Sequence, residues 1–152
     1  MSDRLAIAPL AESDIDSVVT LWLRCGLTRP WNDPHADIAL AMRGPNSTVL
    51  VGKRAVTGND SAVAVASVLV GHDGHRGWFY YLCVDPDHQG RGHGRAITAA
   101  GEDWLRERGI AKAMLMIRPD NMAVQSFYEA LGYSVQPRIV LNRWLDGREP
   151  TP

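Results

Sequence analysis

The sequence predicts an α/β (α+β) protein with a mixed central β-sheet flanked by helices on both faces. Segments rich in β-branched and aromatic residues alternate along the chain with segments of helical periodicity. Turns that contain glycine or proline separate these segments. The predicted order of elements is β-α-α-β-β-β-α-β-α-β, which is typical of a sheet with helices packed on it.

One domain accounts for the 152 residues, 45% of which are hydrophobic, because a chain of this length buries enough surface for a core. We expect this domain to span residues 1–145. Residues 146–152 contain two prolines and a glycine and read as a loose C-terminal tail.

The first part of the chain supplies a strand at residues 5–7 and then two helices. Ser13 and Asp14 are suitable N-caps for a helix that begins at Ile15, and Gly26 tolerates the left-handed conformation that ends it. A loop with an aromatic tip, residues 29–34, precedes the second helix at about residues 33–42.

Three strands are predicted next, and turns at residues 57–60 and 71–74 connect them. Asp85-Pro86 closes the last strand because proline cannot donate to a ladder. The strands cover residues 48–52, 62–70 and 77–84.

The last part of the chain begins with a glycine-rich turn. It leads into a helix that ends at Gly109, and a buried strand, a helix and a last strand follow. These three elements cover residues 113–117, 121–131 and 139–141.

Charge and composition exclude several classes of protein. The 16 basic and 17 acidic residues give a net charge of −1, so no nucleic-acid partner is expected. No segment is long and apolar enough to span a membrane, and the N-terminus lacks the apolar run of a secretion signal. Two cysteines make no disulfide framework, and the histidines lack the companions of a metal site. We expect a cytoplasmic protein that binds no metal.

The glycine-rich turn after the fourth strand predicts an anion site. Gly90, Gly92 and Gly94 precede a helix start, where unpaired N–H groups and the helix dipole attract negative charge. Arg91 and Arg95 add positive charge. A tight turn that binds nothing is the alternative, although three glycines exceed what such a turn requires.

Two other phosphate motifs do not match this turn. A Walker loop requires Lys-Ser/Thr after its last glycine, whereas Arg95-Ala96 follows Gly94. A dinucleotide fingerprint requires a small residue where Ile97 stands and an acidic residue at the end of the next strand.

Two motifs carry a resemblance to a known family. Residues 84–94, Val-Asp-Pro-Asp-His-Gln-Gly-Arg-Gly-His-Gly, resemble the acetyl-CoA signature of the GNAT (GCN5-related) N-acetyltransferases. Residues 121–133, Asn-Met-Ala-Val-Gln-Ser-Phe-Tyr-Glu-Ala-Leu-Gly-Tyr, resemble the family's second motif, with Ala123 one place early. Residues 27–34 and 73–77 are similar to the bacterial YpeA-type branch. The resemblance covers almost the whole chain and implies the GNAT fold.

The resemblance implies acetyl-CoA as cosubstrate and assigns its contacts. The backbone of Leu82, Cys83 and Val84 would pair with the pantetheine arm, and Asn121 would contact the same arm. The turn would hold the pyrophosphate, and it consists of Gln89, Gly90, Arg91, Gly92, His93, Gly94 and Arg95.

The resemblance also implies acetyl transfer to a primary amine by direct attack in a ternary complex. Tyr128 occupies the position of the tyrosine that protonates the leaving thiolate, a role that an O–H donor can perform. A tyrosine that simply packs in the core is the alternative.

The two positions where the family usually carries its general base depart from the family pattern. Met116 and Trp78 stand where many relatives carry a glutamate, and neither side chain accepts a proton. Asp33, Asp73 and His75 are the replacement candidates. Because neither usual position holds a glutamate, a second hypothesis stays open, a CoA-binding regulatory module without turnover.

The acceptor is either a small-molecule amine or a peptide or protein amine, and the second motif also resembles that of ribosomal-protein N-terminal acetyltransferases. Trp31 offers an apolar wall, Asp33 can attract a cation or cap the next helix, and Tyr80 and Tyr81 point to opposite sides of a strand. The candidate acceptor residues are Arg29, Trp31, Asp33, His75 and Tyr80. A homodimer paired through the last strand is possible on this pattern.

Overall fold

The computed structural model describes residues 4–54 and 62–152 and confirms the predicted fold class. Within these residues, five strands form one sheet in the order β1-β2-β3-β4-β5. The first four strands run antiparallel to their neighbours and β5 runs parallel to β4, so the sheet is mixed. The strands are β1 (Leu5–Pro9), β2 (Ser47–Arg54), β3 (Ala64–His72), β4 (Gly77–Val84) and β5 (Ala113–Leu115).

The described residues also form four α-helices, which are α1 (Ile15–Arg24), α2 (Pro34–Met42), α3 (His93–Arg106) and α4 (Met122–Ala130). Short 3₁₀ turns lie at Glu12–Asp14 and Pro86–His88. The chain divides after Met116 into two compact units, and each is described by itself. The turn predicted at residues 57–60 lies outside the described residues.

In the first unit, α1 and α2 pack on one face of the sheet. Alternate strand residues such as Val49 and Val51 point to this face and join a buried core with Val18, Leu21 and Trp22 of α1. All five side chains are almost completely buried. Burial of side chains of this size stabilises the fold by about 2 kcal/mol each.

The other face of the sheet carries α3. Its buried residues follow helical spacing, and they include Ile97, Gly101 and Leu105. A Cβ at Gly101 would lie 2.9 Å from Cε1 of Phe79, so glycine allows α3 to approach β4 closely. Helices therefore lie on both faces, as predicted, and the start of α3 follows the end of β4 after only eight residues.

Local chemistry explains the ends of α1 and α2. Gly26 follows Cys25, the C-cap of α1, and adopts φ +69°, as expected for a helix C-terminus. Asp33 accepts hydrogen bonds from the N–H groups of His35 and Ala36 and caps α2. Asp14 does not cap α1 with its side chain; it accepts from the Ala11 N–H and pairs with Lys53.

The last predicted strand is wrong. Residues 139–141 form no strand in the structure, and Ile139 and Leu141 are each 91% exposed. Three apolar residues in succession satisfied the strand pattern, but a strand also requires a pairing partner, which the pattern does not reveal. The observed order within the described residues therefore ends with α4, and the edge expected for a homodimer is not a strand.

The second unit comprises Ile117–Pro152 and contains α4. The Asn121 side chain accepts from the N–H of Val124 and caps this helix, and Gly132 follows its end with φ +96°. Further along, Trp144 Nε1 donates to Thr151 Oγ1, and Arg148 lies over the Trp144 ring. The predicted boundary at residue 145 stays a prediction.

Candidate functional site

The C-terminal half of β4 has an open edge. Strand β5 pairs with β4 only through Gly77–Phe79, so in the described part of the chain no strand covers Tyr80–Val84 on that side. The N–H and C=O groups along such an edge can pair with an extended ligand, as an added strand would. Leu82, Cys83 and Val84, which were predicted to bind pantetheine, lie along this edge.

A β-bulge interrupts β4 beside the open edge. Tyr80 pairs with Leu69 and Cys83 with Ser67, so two residues of β4, Tyr81 and Leu82, lie opposite one residue of β3. Tyr81 has φ +50°, a left-handed conformation that costs energy for a bulky residue. Bulges of this kind re-aim side chains and backbone groups next to functional sites.

The Tyr81 side chain connects the bulge to α1 and α2. Its ring stacks on Trp22 with 3.8 Å between ring centroids and 6° between planes. Its hydroxyl donates to Asp37 Oδ2 over 2.6 Å. Burial and the Asp37 carboxylate raise the pKa of the Tyr81 phenol, so the hydroxyl stays protonated. The neighbouring Tyr80 is 45% exposed.

The glycine-rich turn joins β4 to α3. Gln89, Gly90 and Arg91 are exposed, and Gly90 and Gly92 adopt φ +75° and +81°. Gly92 is the N-cap of α3 and offers no capping side chain. Among the described residues, the N–H groups of Gly94 and Arg95 donate to no backbone carbonyl. These amide donors and the exposed Arg91 side chain lie at the start of α3, where the sequence analysis places an anion site, and that site stays a prediction.

The side chain of His93 is buried, unlike the exposed residues Gln89, Gly90 and Arg91 of the same turn. The side chain is 3% exposed and points into the protein, not into solvent. The backbone of His93 remains at the helix start, so any contact with a ligand would come from its N–H.

A network of charges anchors the entrance to the turn. Arg24, at the end of α1, donates to Asp85 Oδ2 over 2.9 Å and to Asp87 Oδ2 over 2.9 Å. Asp85 is buried and also accepts from the Asp87 N–H. Burial raises the pKa of Asp85, but hydrogen bonds from Arg24 and the Asp87 N–H outweigh it and lower the pKa overall.

Two cysteines lie near the end of β4. Cys25 follows α1, and its thiol donates to the Val84 carbonyl over 3.4 Å. Cys83 is buried and lies 3.6 Å from the Ser67 hydroxyl. The neighbouring Cys25 thiol, together with burial, raises the pKa of the Cys83 thiol, so this side chain stays neutral. Cys83 therefore offers a ligand only its backbone.

The predicted acceptor residues do not all lie together. Arg29 and Trp31 belong to the α1–α2 loop, and the Arg29 charge acts on Tyr81. Asp33 caps α2, which is one of the three roles predicted for it. His75 lies in the β3–β4 turn, at the opposite end of β4 from the glycine-rich turn. That strand is eight residues long, so the two ends are roughly 23 Å apart.

The candidates for the general base have other partners. Asp73 accepts from the N–H groups of Arg76 and His75, and these hydrogen bonds lower its pKa. A lowered pKa makes Asp73 a weaker base. Met116 follows β5 and is 51% exposed, and Trp78 is half-buried in β4.

Asp37 is the carboxylate that the sequence analysis missed. It lies on α2, is half-buried, and holds Tyr81 at the bulge. The residues are 44 positions apart, and no local pattern predicts their contact.

In the second unit, Asn121 is exposed and serves as the N-cap of α4. Tyr128 is 6% exposed, and its ring contacts Phe127 and Tyr133 edge-on, with centroid distances of 5.0 Å and 5.5 Å. These contacts fit the packing role that was weighed for Tyr128, and they leave the catalytic role as a prediction.

Residues 4–54 and 62–152 show neither a metal-binding cluster nor a membrane-spanning helix. They contain no cluster of three His, Cys, Asp or Glu side chains placed to hold a metal ion. None of their helices combines the length and the apolar character needed to cross a membrane.

The chain is similar to known proteins in both sequence and fold. Residues 15–133 match the model of the acetyltransferase (GNAT) family. An acetyltransferase of Sodalis glossinidius is 42% identical over 137 residues, which are 90% of this chain and 92% of the relative. An acetyltransferase of Pectobacterium atrosepticum is 43% identical over 139 residues, 91% and 94% of the two chains. The fold is similar to that of AAC(6')-Iy in complex with CoA-S-monomethyl-acetylneamine, with a TM-score of 0.74, 18% identity and coverage of 92% and 97%.

Proposed function

The chain belongs to the GNAT acetyltransferase family, an acetyl-CoA-dependent group of enzymes, and we propose that it acetylates a primary amine by direct attack in a ternary complex. The observation that carries the proposal is the continuity of two open backbone surfaces. The edge of β4 that no strand covers in the described residues leads through Asp85 into a turn whose amides meet no side-chain cap.

These two surfaces match two chemical parts of the coenzyme. The pantetheine arm has amide groups that can pair with Leu82–Val84, because both partners offer donors and acceptors in extended geometry. The pyrophosphate carries negative charge, which suits the amides of Gly94 and Arg95 and the Arg91 and Arg95 side chains. Bound acetyl-CoA supplies the activated acetyl thioester.

In the proposed reaction the neutral amine nitrogen forms a C–N bond to the acetyl carbon as the C–S bond breaks. The sulfur leaves as a thiolate and takes a proton, for which Tyr128 is the proposed donor. This assignment is supported by the spacing between Asn121 and Tyr128 in the second motif.

The acceptor side of the proposal rests on Asp37. A substrate amine arrives as an ammonium ion, and a half-buried carboxylate at the bulge provides a partner for that charge. Tyr81 occupies one carboxylate oxygen, Oδ2, and fixes the orientation of the other. We therefore propose a cationic primary amine as acceptor. Small molecules, including aminoglycosides, and peptide or protein N-termini all belong to this class.

Two measurements test the proposal. Calorimetry should detect heat when CoA or acetyl-CoA is added to the protein. Thiol release from acetyl-CoA should then be followed with an aminoglycoside, a polyamine, a peptide with a free N-terminus and a lysine peptide. Release that depends on one acceptor supports the proposal.

The outcomes separate the alternatives. Binding without thiol release for any acceptor would indicate the regulatory module. A melting shift with ATP or NAD, and none with CoA, would indicate nucleotide binding and would overturn the proposal. Release with the free N-terminus alone would place the chain with the N-terminal acetyltransferases.

A further inference from the structure

A buried chain of hydrogen bonds ends on the backbone of the bulge. The indole Nε1 of Trp22 donates to Ser67 Oγ over 2.9 Å, and Ser67 Oγ donates to the Tyr81 carbonyl over 2.9 Å. Trp22 and Ser67 are both completely buried. The carbonyl of Tyr81 thus has a side-chain donor at the point where β4 leaves its regular register with β3.

This carbonyl belongs to the same peptide group as the Leu82 N–H. The described residues contain no cis peptide bond, so the N–H lies on the opposite side of the peptide from the carbonyl. The Ser67 hydroxyl therefore fixes the direction of the Leu82 N–H, which points away from Ser67. Without that bond the left-handed Tyr81 would lose a contact that holds its strained backbone.

We infer that Ser67 is a positioning residue, which orients the Tyr81–Leu82 peptide so that the Leu82 N–H meets the coenzyme. The inference rests on the proposed function, because that function assigns the backbone of Leu82 to coenzyme binding. Trp22 contributes by donating to the Ser67 oxygen, which leaves the hydroxyl proton of Ser67 available for Tyr81. The stacking of Trp22 on the Tyr81 ring holds the same residue from its side chain.

A simpler explanation is that Ser67 only satisfies a buried carbonyl. The two explanations differ in what they predict for the coenzyme. A structural role changes stability alone, whereas a positioning role changes coenzyme binding and turnover beyond any change in stability.

The test compares Ser67→Ala with Ser47→Ala. Ser47 also donates from its hydroxyl to a main-chain carbonyl, that of Ala41 over 2.7 Å, but at the start of β2. Both variants lose one such bond, and Ser67→Ala also removes the acceptor of the Trp22 indole N–H. We expect Ser67→Ala to lower kcat/KM for acetyl-CoA by about tenfold, the effect of one lost hydrogen bond, and Ser47→Ala to leave it unchanged. Ser67→Thr retains the hydroxyl and should recover part of the loss.

Amide NMR provides a readout that does not depend on turnover. In the wild type, CoA should shift the Leu82 amide resonance, and in Ser67→Ala this shift should be smaller. If Ser67→Ala does not fold, Ser67→Cys preserves the shape with a weaker donor and enters the same comparison.

Equal kcat/KM and equal Leu82 shifts in Ser67→Ala and Ser47→Ala would overturn the inference. A Leu82 amide that CoA leaves unmoved, while the Gly94 and Arg95 amides shift, would also overturn it without affecting the proposed function. Absence of any CoA response in the wild type would instead remove the proposed function.

Discussion

Arg24 Nε lies 2.9 Å from Asp85 Oδ2 and joins the end of α1 to the residue that follows β4. The same guanidinium reaches Asp87, so one arginine holds both ends of the Asp85–Asp87 segment. This segment leads into the glycine-rich turn, and its position sets where the proposed anion site begins.

Replacement of Arg24 should therefore weaken coenzyme binding without direct contact. Arg24→Ala leaves the buried Asp85 carboxylate with fewer donors, and the turn loses its tie to α1. We expect a Kd for CoA several-fold higher by calorimetry, and a lower melting temperature. Arg106→Ala is the control, since Arg106 pairs with Asp103 within α3 and both side chains are mostly exposed. Equal Kd values for the two variants would contradict the role of Arg24.

The stability of the fold should fall at acidic pH through Asp85. Its pKa lies below the ordinary value of 3.8 in the folded protein, so protonation favours the unfolded state. The stabilisation is complete above the unfolded pKa and is lost as the pH falls through the lower folded pKa. Denaturant midpoints from pH 7 to pH 2.5 should show this loss, and Asp85→Asn should show a smaller pH dependence. An unchanged slope in Asp85→Asn would refute the assignment.

Gly92 and Gly109 provide a matched pair for the anion site. Both glycines have positive φ, +81° and +74°, and a Cβ at either would meet nothing within 4 Å. Each substitution by alanine should cost about 1 kcal/mol of stability, because the left-handed conformation is strained for alanine. Only Gly92→Ala, at the start of α3, should weaken CoA binding in calorimetry. Equal Kd values for both variants would exclude the turn as the pyrophosphate site.

Asp37→Asn should raise the KM for the amine acceptor. The substitution removes the charge that we propose for binding the ammonium ion, and the expected increase is about tenfold. The KM for acetyl-CoA should change little. Asp16→Asn removes the same charge from a fully exposed position on α1 and should leave both constants unchanged. Asp33→Asn retains a capping side chain on α2, so any increase in acceptor KM there would assign the role to Asp33 instead.

Tyr128→Phe should lower kcat by about 100-fold while calorimetry shows unchanged acetyl-CoA binding, because only the proton donor is lost. Tyr133→Phe removes a hydroxyl from the ring in contact with Tyr128 and serves as the control. Wild-type turnover in Tyr128→Phe would remove this tyrosine from the mechanism.

The sequence was sufficient for those features that local chemistry determines. The strand over residues 77–84, the glycine-rich turn and the helix start at Asn121 are each encoded within a few neighbouring residues, and the structure contains all three. The bulge at Tyr81 is different, because it depends on how β3 and β4 pair. Trp22, Ser67 and Asp37 converge on it from three other elements, and no motif marks them.

At residues 139–141 the sequence predicted a strand that does not form in the structure. Its apolar pattern is real, but pattern alone does not supply a neighbour for its backbone groups. The acceptor candidates are also spread over the structure: His75 and Tyr80 were both named for the acceptor, yet Gly77–Phe79 of β4 separate the turn that holds His75 from the bulge.

The short pairing of β5 with β4 has a consequence for the life of the protein in the cell. Bare strand edges invite association with other chains, and a bound small molecule that covers such an edge suppresses that association. Acetyl-CoA would then act as a protective cover as well as a reagent. Binding of the cosubstrate would also raise the free energy of unfolding, because a ligand that binds only the folded state shifts the unfolding equilibrium towards it.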